Sequence, residues 1–140
     1  MASTIPRTRR KAIADAYVAK SLKIAFFTNL TGYDPLTATT YAALVSGGAT
    51  EVSAAGTGYT TGGYALTGTA ASNLSGVNGA IVTASVVTVG SATFSAQYGV
   101  IYDNATGNIE GIEDWGASYV VTNGTITVTF DSTNGIFNVQ

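Results

Sequence analysis

The alternation of apolar and polar residues divides the chain into one helix followed by strands. Residues 7–20 contain four alanines, which favour a helix, and they follow Pro6, a residue suited to a first helical turn. This pattern predicts a helix of about three to four turns. The next segment, residues 22–27, alternates with the two-residue period of a β-strand, so the predicted helix ends near Lys20.

Most of the remaining sequence consists of short segments rich in β-branched and aromatic residues, which are typical of strands. The pair Asn123-Gly124 predicts a two-residue hairpin between strands at residues 118–122 and 125–130. A second pair, Asn134-Gly135, leads into a final strand at residues 136–139. The other predicted strands are residues 51–54, 64–68, 80–89 and 93–103, and residues 68–79 are predicted to form a long loop of small residues.

About eight strands behind one helix predict an all-β fold. The expected architecture is a single antiparallel β-sandwich or small barrel, of jelly-roll or immunoglobulin-like type, with a short N-terminal helix. Residues 1–23 are expected to form a basic arm and helix, and residues 24–140 the sandwich domain. The predicted core consists of Phe26, Val86, Phe94, Tyr98, Val100, Ile126, Val128 and Phe130.

Charge is distributed unevenly along this pattern. All six basic residues lie in the first 23 positions, where one acid brings the net charge to +5. The rest of the chain has seven acids and no Lys or Arg, a net charge of −7. This distribution predicts that Arg7, Arg9, Arg10 and Lys11 anchor the protein on an acidic partner or on nucleic acid. The alternative is a short helix whose charges only keep it soluble.

The strands lack the usual protection against edge-to-edge association. Soluble β-proteins place Lys, Pro or inward-pointing charges on exposed edge strands. No Lys or Arg follows Lys23, and Pro35 is the last proline of the chain. We therefore expect assembly with other chains, as a homo-oligomer or in many symmetric copies, to cover part of the surface. A threonine-rich monomer is the alternative.

Composition excludes several kinds of catalytic site. The chain has no His and no Cys, so it contains no thiol nucleophile, no Ser–His triad and no Cys/His zinc site. Glu110, Glu113 and Asp114 precede Trp115, and a glycosidase needs a pair of carboxylates, one protonated and the other ionised, beside an aromatic residue. These acids are close in sequence and no other polar catalytic group accompanies them, so a solvated loop is favoured. No catalytic, metal-binding or cofactor-binding residue is assigned, and the protein is not expected to be an enzyme.

Two loops superficially resemble ligand-binding loops. Residues 56–63 are rich in glycine, but they lack the Gly-Lys-Ser/Thr ending of a phosphate-binding loop, so a turn or extended connection is favoured. Residues 103–110 are rich in oxygen ligands, but their spacing differs from that of an EF-hand. A hairpin loop with Asx turns is favoured there over calcium binding, which stays open.

The aromatic residues and the apolar runs bear on whether sugars, nucleic acid or membranes are partners. Aromatic side chains near loops are candidates for stacking on sugars: Tyr33, Tyr41, Tyr59 and Tyr64. Nucleic-acid binding by the acidic body is not expected, because an acidic surface repels phosphate. No apolar run approaches the ~20 residues of a membrane span, and no signal peptide is recognised, so neither membrane insertion nor export is expected.

The order of segments resembles that of small accessory virion proteins of tailed bacteriophages. The resemblance lies in the texture of most of the chain and in no single specific motif. An amphipathic helix leads into a strand, and a glycine- and tyrosine-rich connection at residues 58–63 precedes an apolar strand. A long aromatic-rich strand, an acidic-aromatic turn at residues 114–116 and a closing hairpin follow.

This resemblance implies a head-decoration, or cement, protein that binds and stabilises the shell of the major capsid protein. It further implies a place on the capsid surface of the virion, after synthesis in the host cytoplasm. The unusually basic start of this chain is then specific to its docking partner. The alternatives are a tail, neck or fibre component, or a carbohydrate-binding β-sandwich module that uses Trp115 and the loop tyrosines.

Overall fold

The structure, a computed structural model, describes residues 6–74, 79–130 and 135–139. It is mostly β, with an N-terminal helix and antiparallel sheets, which confirms the predicted all-β class. The more specific sandwich or barrel stays a prediction. The elements in chain order are α1 (Arg7–Val18), β1 (Leu22–Asn29), α2 (Tyr41–Ser46), β2 (Thr50–Glu51), β3 (Tyr64–Ala65), β4 (Ala70–Asn73), β5 (Ala80–Thr83), β6 (Val87–Asp103), β7 (Ile109–Val128) and β8 (Phe137–Val139).

The chain folds into two compact units that alternate along the sequence. The first, here called the helix unit, is built from the described parts of residues 1–20, 66–86 and 129–140. The second, the hairpin unit, comprises residues 21–65 and 87–128. The sequence analysis instead predicts a single division of the chain, after residue 23. That domain division stays a prediction.

In the helix unit, α1 packs against a three-stranded antiparallel sheet of order β4-β5-β8. Ala14 is buried, and the Tyr17 ring stacks on Phe137 with 4.4 Å between centroids. All three apolar residues that begin β5, Ala80, Ile81 and Val82, are buried. The small side chain of Ala14 permits close approach of the helix, and the apolar strand β5 supplies the core of this unit.

In the hairpin unit, the main sheet has the order β2-β1-β6-β7, and β3 also pairs with β1. Strand β1 is central, and its residues from Ile24 to Phe27 are fully buried. Because successive side chains of a strand point to opposite faces, this continuous apolar run means that β1 is covered on both sides.

Different elements cover the two sides of β1. On one side, Phe27 belongs to a cluster that includes Leu44 of α2, a helix that the sequence analysis did not predict. On the other side, the Phe26 ring packs against the rings of Tyr59 and Trp115, with centroids 5.7 and 5.6 Å apart. The segment that connects β2 to β3 thus supplies part of the core.

The predicted hairpin at Asn123-Gly124 is wrong. Strands β6 and β7 form a single long antiparallel pair, and Ala92 lies opposite Gly124 within it. Asn123 has a φ of 47°, and its N–H donates to Thr93 Oγ1 at 2.9 Å instead of closing a turn. An asparagine in the left-handed region suits a β-bulge as well as a turn, and here it interrupts the register without reversing the chain.

Other boundaries also differ from those expected. The predicted strand at residues 80–89 is divided between β5 and β6, and the predicted loop at residues 68–79 contains β4. The final strand is confirmed as β8, whereas Asn134 of its predicted turn lies outside the described residues. Three residues of the predicted core are buried: Phe26, Phe94 and Val100. Four others are half-buried: Tyr98, Ile126, Val128 and Phe130. The prediction that Val86 lies in the core is wrong, because its side chain is 51% exposed.

Candidate functional site

The four basic residues predicted as an anchor lie on different sides of α1. Arg10 is only 8% exposed and shares the buried stripe of the helix with Ala14. The Arg7 guanidinium donates to the carbonyl oxygen of Leu74, beside β4, although the side chain is exposed. Both arginines therefore take part in contacts of the helix unit. Their positions indicate that they contribute to packing in addition to carrying positive charge.

The other two predicted anchors are more accessible. Arg9 is exposed, and Lys11 is half-buried with its Nζ 2.5 Å from Asp15 Oδ1, one helical turn further on. The Asp15 carboxylate offsets the charge of Lys11. Arg9 is thus the member of the predicted set whose position best suits contact with another molecule, while the anchoring role itself stays a prediction.

One accessible feature of the hairpin unit is the outer edge of β7 over residues 117–128. This strand has 20 residues and ends the sheet, and within the described residues it has a strand neighbour only on the β6 side. From residue 117 to residue 128 it carries no charged residue and no proline. Tyr119 and Val120 in this part are 54% and 76% exposed. Such an edge offers free backbone groups and apolar side chains to another chain.

Bulges divide β7 into shorter regular stretches. Asp114 pairs with Tyr98, but the next regular pair joins Tyr119 to Ala96, so β7 carries extra residues between them. Gly116 in this bulge has a φ of 76°, which favours glycine. The bulge leaves the Trp115 and Tyr119 rings edge to face, with centroids 6.2 Å apart.

A second distinctive feature of the hairpin unit is a cluster of tyrosines around Glu51, at the end of β2. The Glu51 carboxylate accepts hydrogen bonds from the Tyr41 hydroxyl, the Tyr59 hydroxyl at 2.7 Å and the Gly62 N–H at 2.7 Å. The Tyr102 hydroxyl donates to the Gly62 carbonyl at 2.7 Å, and its ring stacks on Tyr41 with centroids 4.6 Å apart. Sequence analysis did not single out Glu51.

These contacts keep the tyrosines protonated. Burial, followed by the hydrogen bond to Glu51, raises the pKa of Tyr41 and of Tyr59 above the ordinary tyrosine value. Burial also raises the pKa of Tyr102, with the negative charge of Glu51 as the smaller cause. Because both oxygens of Glu51 already accept hydrogen bonds, the cluster is suited to fastening residues 52–63 onto β1 and α2.

The same connection is fixed from its other end by Gly63. Its φ is 72°, and a Cβ at this position would lie 1.9 Å from the carbonyl oxygen of Ile24. Only glycine permits this approach to β1. Residues 56–63 therefore form the connection predicted from the sequence, and Gly63 permits its close packing against β1.

The loop tyrosines considered as sugar-stacking platforms are engaged inside the hairpin unit. Tyr59 is 4% exposed, Tyr41 is bonded to Glu51, and Tyr33 packs against the cluster that contains Phe27. The Tyr64 hydroxyl donates to the Gly58 carbonyl at 3.3 Å. Trp115 lies half-buried against Phe26, so the most accessible ring near it is that of Tyr119.

The acids considered for chemistry lie in β7 and in the turn before it. Glu110, Glu113 and Asp114 are all in β7 rather than in the solvated loop that was favoured, a prediction that was wrong. The Asp103 carboxylate instead accepts hydrogen bonds from Ala105 N–H and Thr106 Oγ1, both at 3.1 Å. These bonds form the Asx turn expected for residues 103–110.

Within residues 6–74, 79–130 and 135–139, no group of three or more acids lies close enough to hold a metal ion. In the same residues, no helix is long and apolar enough to span a membrane. No protein-family model, curated protein or solved structure matches the chain.

Proposed function

We propose that the protein is a non-enzymatic structural component of a tailed-bacteriophage particle, where it decorates the capsid and stabilises the shell of the major capsid protein. The observation that carries the assembly role is the outer edge of β7. Residues 117–128 of this edge include no charged residue and no proline, and most of their side chains are exposed. Isolated soluble proteins protect such edges, whereas assembling proteins use them.

The distribution of charge between the two units supports docking through the helix unit. The sequence segments of that unit hold five basic and two acidic residues, a net charge of +3. The hairpin unit holds one basic and six acidic residues, a net charge of −5. A basic unit on an otherwise acidic protein favours attachment to an acidic surface, and Arg9 is the residue most accessible for it.

The particle itself is proposed from the order of the sequence segments, which resembles that of accessory virion proteins. A tail, neck or fibre position is the alternative within the same class. The carbohydrate-binding alternative is less favoured, because its four candidate tyrosines are buried or half-buried. They take part in the packing and hydrogen bonds of the hairpin unit.

Copy number on purified particles tests this proposal. Mass spectrometry with labelled peptide standards would give the ratio of this protein to the major capsid protein. A ratio that corresponds to hundreds of copies supports decoration, because each copy would occupy a repeated position of the shell. About six or about twelve copies would instead place the protein in a tail or neck ring. Absence from the particles would overturn the virion assignment altogether.

A further inference from the structure

The bulge at Asn123 follows from the burial pattern of β7. Val121, Gly124 and Ile126 are half-buried, whereas the two residues between Val121 and Gly124 are both exposed. Two residues of β7 thus lie opposite one residue of β6. Without the extra residue, the side chains before and after the bulge would point to opposite faces of the sheet, so Asn123 is held outside the regular ladder.

The surroundings of Asn123 leave its side-chain carboxamide open to reaction. The side chain is exposed, and within the described part of the chain no hydrogen bond holds its carboxamide. The backbone N–H of Asn123 donates to Thr93 Oγ1 at 2.9 Å. The next residue is Gly124, which has no Cβ to obstruct the approach of its backbone nitrogen to that carboxamide.

We propose that Asn123 is a site of spontaneous deamidation, in which the chain itself converts this asparagine to an acid. The backbone nitrogen of Gly124 attacks Cγ of Asn123 and forms a new C–N bond. The bond between Cγ and the side-chain nitrogen breaks, and ammonia leaves with the proton of the Gly124 amide. Water then opens the five-membered imide at one of its two carbonyl groups, which gives Asp or isoAsp.

The bulge accommodates both products. Asp tolerates the left-handed conformation that Asn123 adopts, because its short polar side chain is similar. IsoAsp lengthens the backbone by one methylene group. This added length falls where the pairing of β7 with β6 is already interrupted by an extra residue, so it breaks no continuous ladder.

Deamidation changes the charge of β7 in a part of the strand that has none. Residues 117–128 contain no charged residue, and the carboxylate of the product is ionised at neutral pH. Charged side chains are one means by which soluble proteins protect edge strands. The ageing protein therefore gains a protection that its sequence lacks. This inference is independent of the proposed function and of any partner of β7.

Peptide mapping of the natural protein, aged while folded at mildly alkaline pH, tests the site. Chymotrypsin cuts after Tyr119 and Phe130 give peptide 120–130, in which Asn123 is the only asparagine. This peptide should gain the mass difference between an amide and a carboxyl group and separate into Asp and isoAsp forms. Peptide 103–115 has two exposed asparagines followed by alanine and isoleucine, and it should stay unmodified. Equal modification of both peptides would overturn the proposal.

A variant of the following glycine tests the attacking group. Gly124 does not have a positive φ, and a Cβ there would lie 3.1 Å from Val121 Cγ2, a side-chain atom that can shift. Gly124→Ala should therefore fold, as circular dichroism would confirm, and deamidate at least several-fold more slowly. Gly90→Ala is the matched control, because a Cβ at Gly90 meets nothing within 4 Å, and it should keep the natural rate. Equal rates for the two variants would exclude attack by the Gly124 nitrogen and overturn the proposal.

The role of the bulge is measured by ageing the same protein unfolded in guanidinium chloride. Because the fold leaves the Asn123 carboxamide exposed and unbonded, the folded protein should react at a rate within several-fold of that of the unfolded chain. Modification of peptide 120–130 in the unfolded chain alone would show that the fold protects Asn123, and the proposal would fail.

Discussion

At the residue scale, Glu51 organises more of the hairpin unit than any other polar side chain described above. It is the only acid between Asp34 and Asp103, and it joins α2 to the connection between β2 and β3. The isolation of one acid in a tyrosine- and glycine-rich region was the available sequence signal. The partners were not all predictable, because Tyr102 is far from Glu51 along the chain and comes near it only when β1 pairs with both β2 and β6.

Replacement of Tyr59 by Phe should destabilise the protein by about 1–3 kcal/mol, because two hydrogen bonds are lost in a buried region. The Tyr59 hydroxyl donates to Glu51 and accepts from the N–H of Phe26 at 3.0 Å. The measurement is equilibrium denaturant unfolding. Tyr119→Phe removes a hydroxyl from a ring that is 54% exposed and should change the unfolding free energy by less than about 0.5 kcal/mol. Equal effects of the two variants would contradict this role of Tyr59.

The raised tyrosine pKa values predict a loss of stability at alkaline pH. The pKa of Tyr41, Tyr59 and Tyr102 is higher in the folded protein than the value of about 10 expected when unfolded. Their contribution to stability is therefore fully present below about pH 10. Above that pH the unfolded chain loses these protons first, so the free energy of unfolding falls as the pH rises towards the folded values.

Denaturant unfolding at a series of pH values from about 8 to about 11.5 would measure this effect. Tyr59→Phe removes one of the three groups and should have a shallower decline above about pH 10 than the natural protein. A stability that is constant throughout this pH range would show that the buried hydroxyls ionise as readily as those of an unfolded chain.

At the element scale, sequence patterns predicted α1, β1 and β8 because each has a consistent local signal. The Asn123-Gly124 hairpin failed because the local conformation of Asn123 is shared by turns and bulges, and only the long partner strand β6 decides between them. The helix α2 was missed because it has only six residues, Tyr41–Ser46, and too few turns for an apolar period to emerge.

The two sides of α1 predict different effects of removing neighbouring arginines. Arg10→Ala should lower the free energy of unfolding by about 1–3 kcal/mol, because Arg10 is buried together with Ala14. Arg9→Ala removes an exposed side chain and should change it by less than about 0.5 kcal/mol. Thermal and denaturant unfolding of both variants would test this. A greater loss with Arg9→Ala would mean that α1 presents a different face to the sheet.

At the scale of the whole molecule, the helix unit and the hairpin unit carry net charges of opposite sign. The sequence predicted the segregation of charge, but it assigned one role to Arg7, Arg9, Arg10 and Lys11 together. The structure divides this set, because Arg7 and Arg10 are engaged in the helix unit and Lys11 is paired with Asp15. A variant that replaces all of them would therefore change folding as well as binding.

If the helix unit docks on an acidic capsid surface, Arg9→Ala should reduce occupancy of particles several-fold at low ionic strength. The effect should shrink as salt is added, because the screening length falls to about 10 Å at 0.1 M. Quantitative binding of the purified protein to particles stripped of it, at a series of salt concentrations, is the measurement. The circular dichroism of Arg9→Ala should match that of the natural protein, since Arg9 is exposed.

The matched control removes an existing ion pair instead of a single charge. The double variant Lys11→Ala/Asp15→Ala leaves the net charge of α1 unchanged, because it removes one positive and one negative side chain. In the natural protein these two form an ion pair, with Lys11 Nζ 2.5 Å from Asp15 Oδ1. Its occupancy should therefore remain close to that of the natural protein at every salt concentration. An equal loss in both variants would point to the shape of the helix surface rather than to its charge. Unchanged binding of Arg9→Ala would remove electrostatic docking through α1 and leave the β7 edge as the remaining candidate contact.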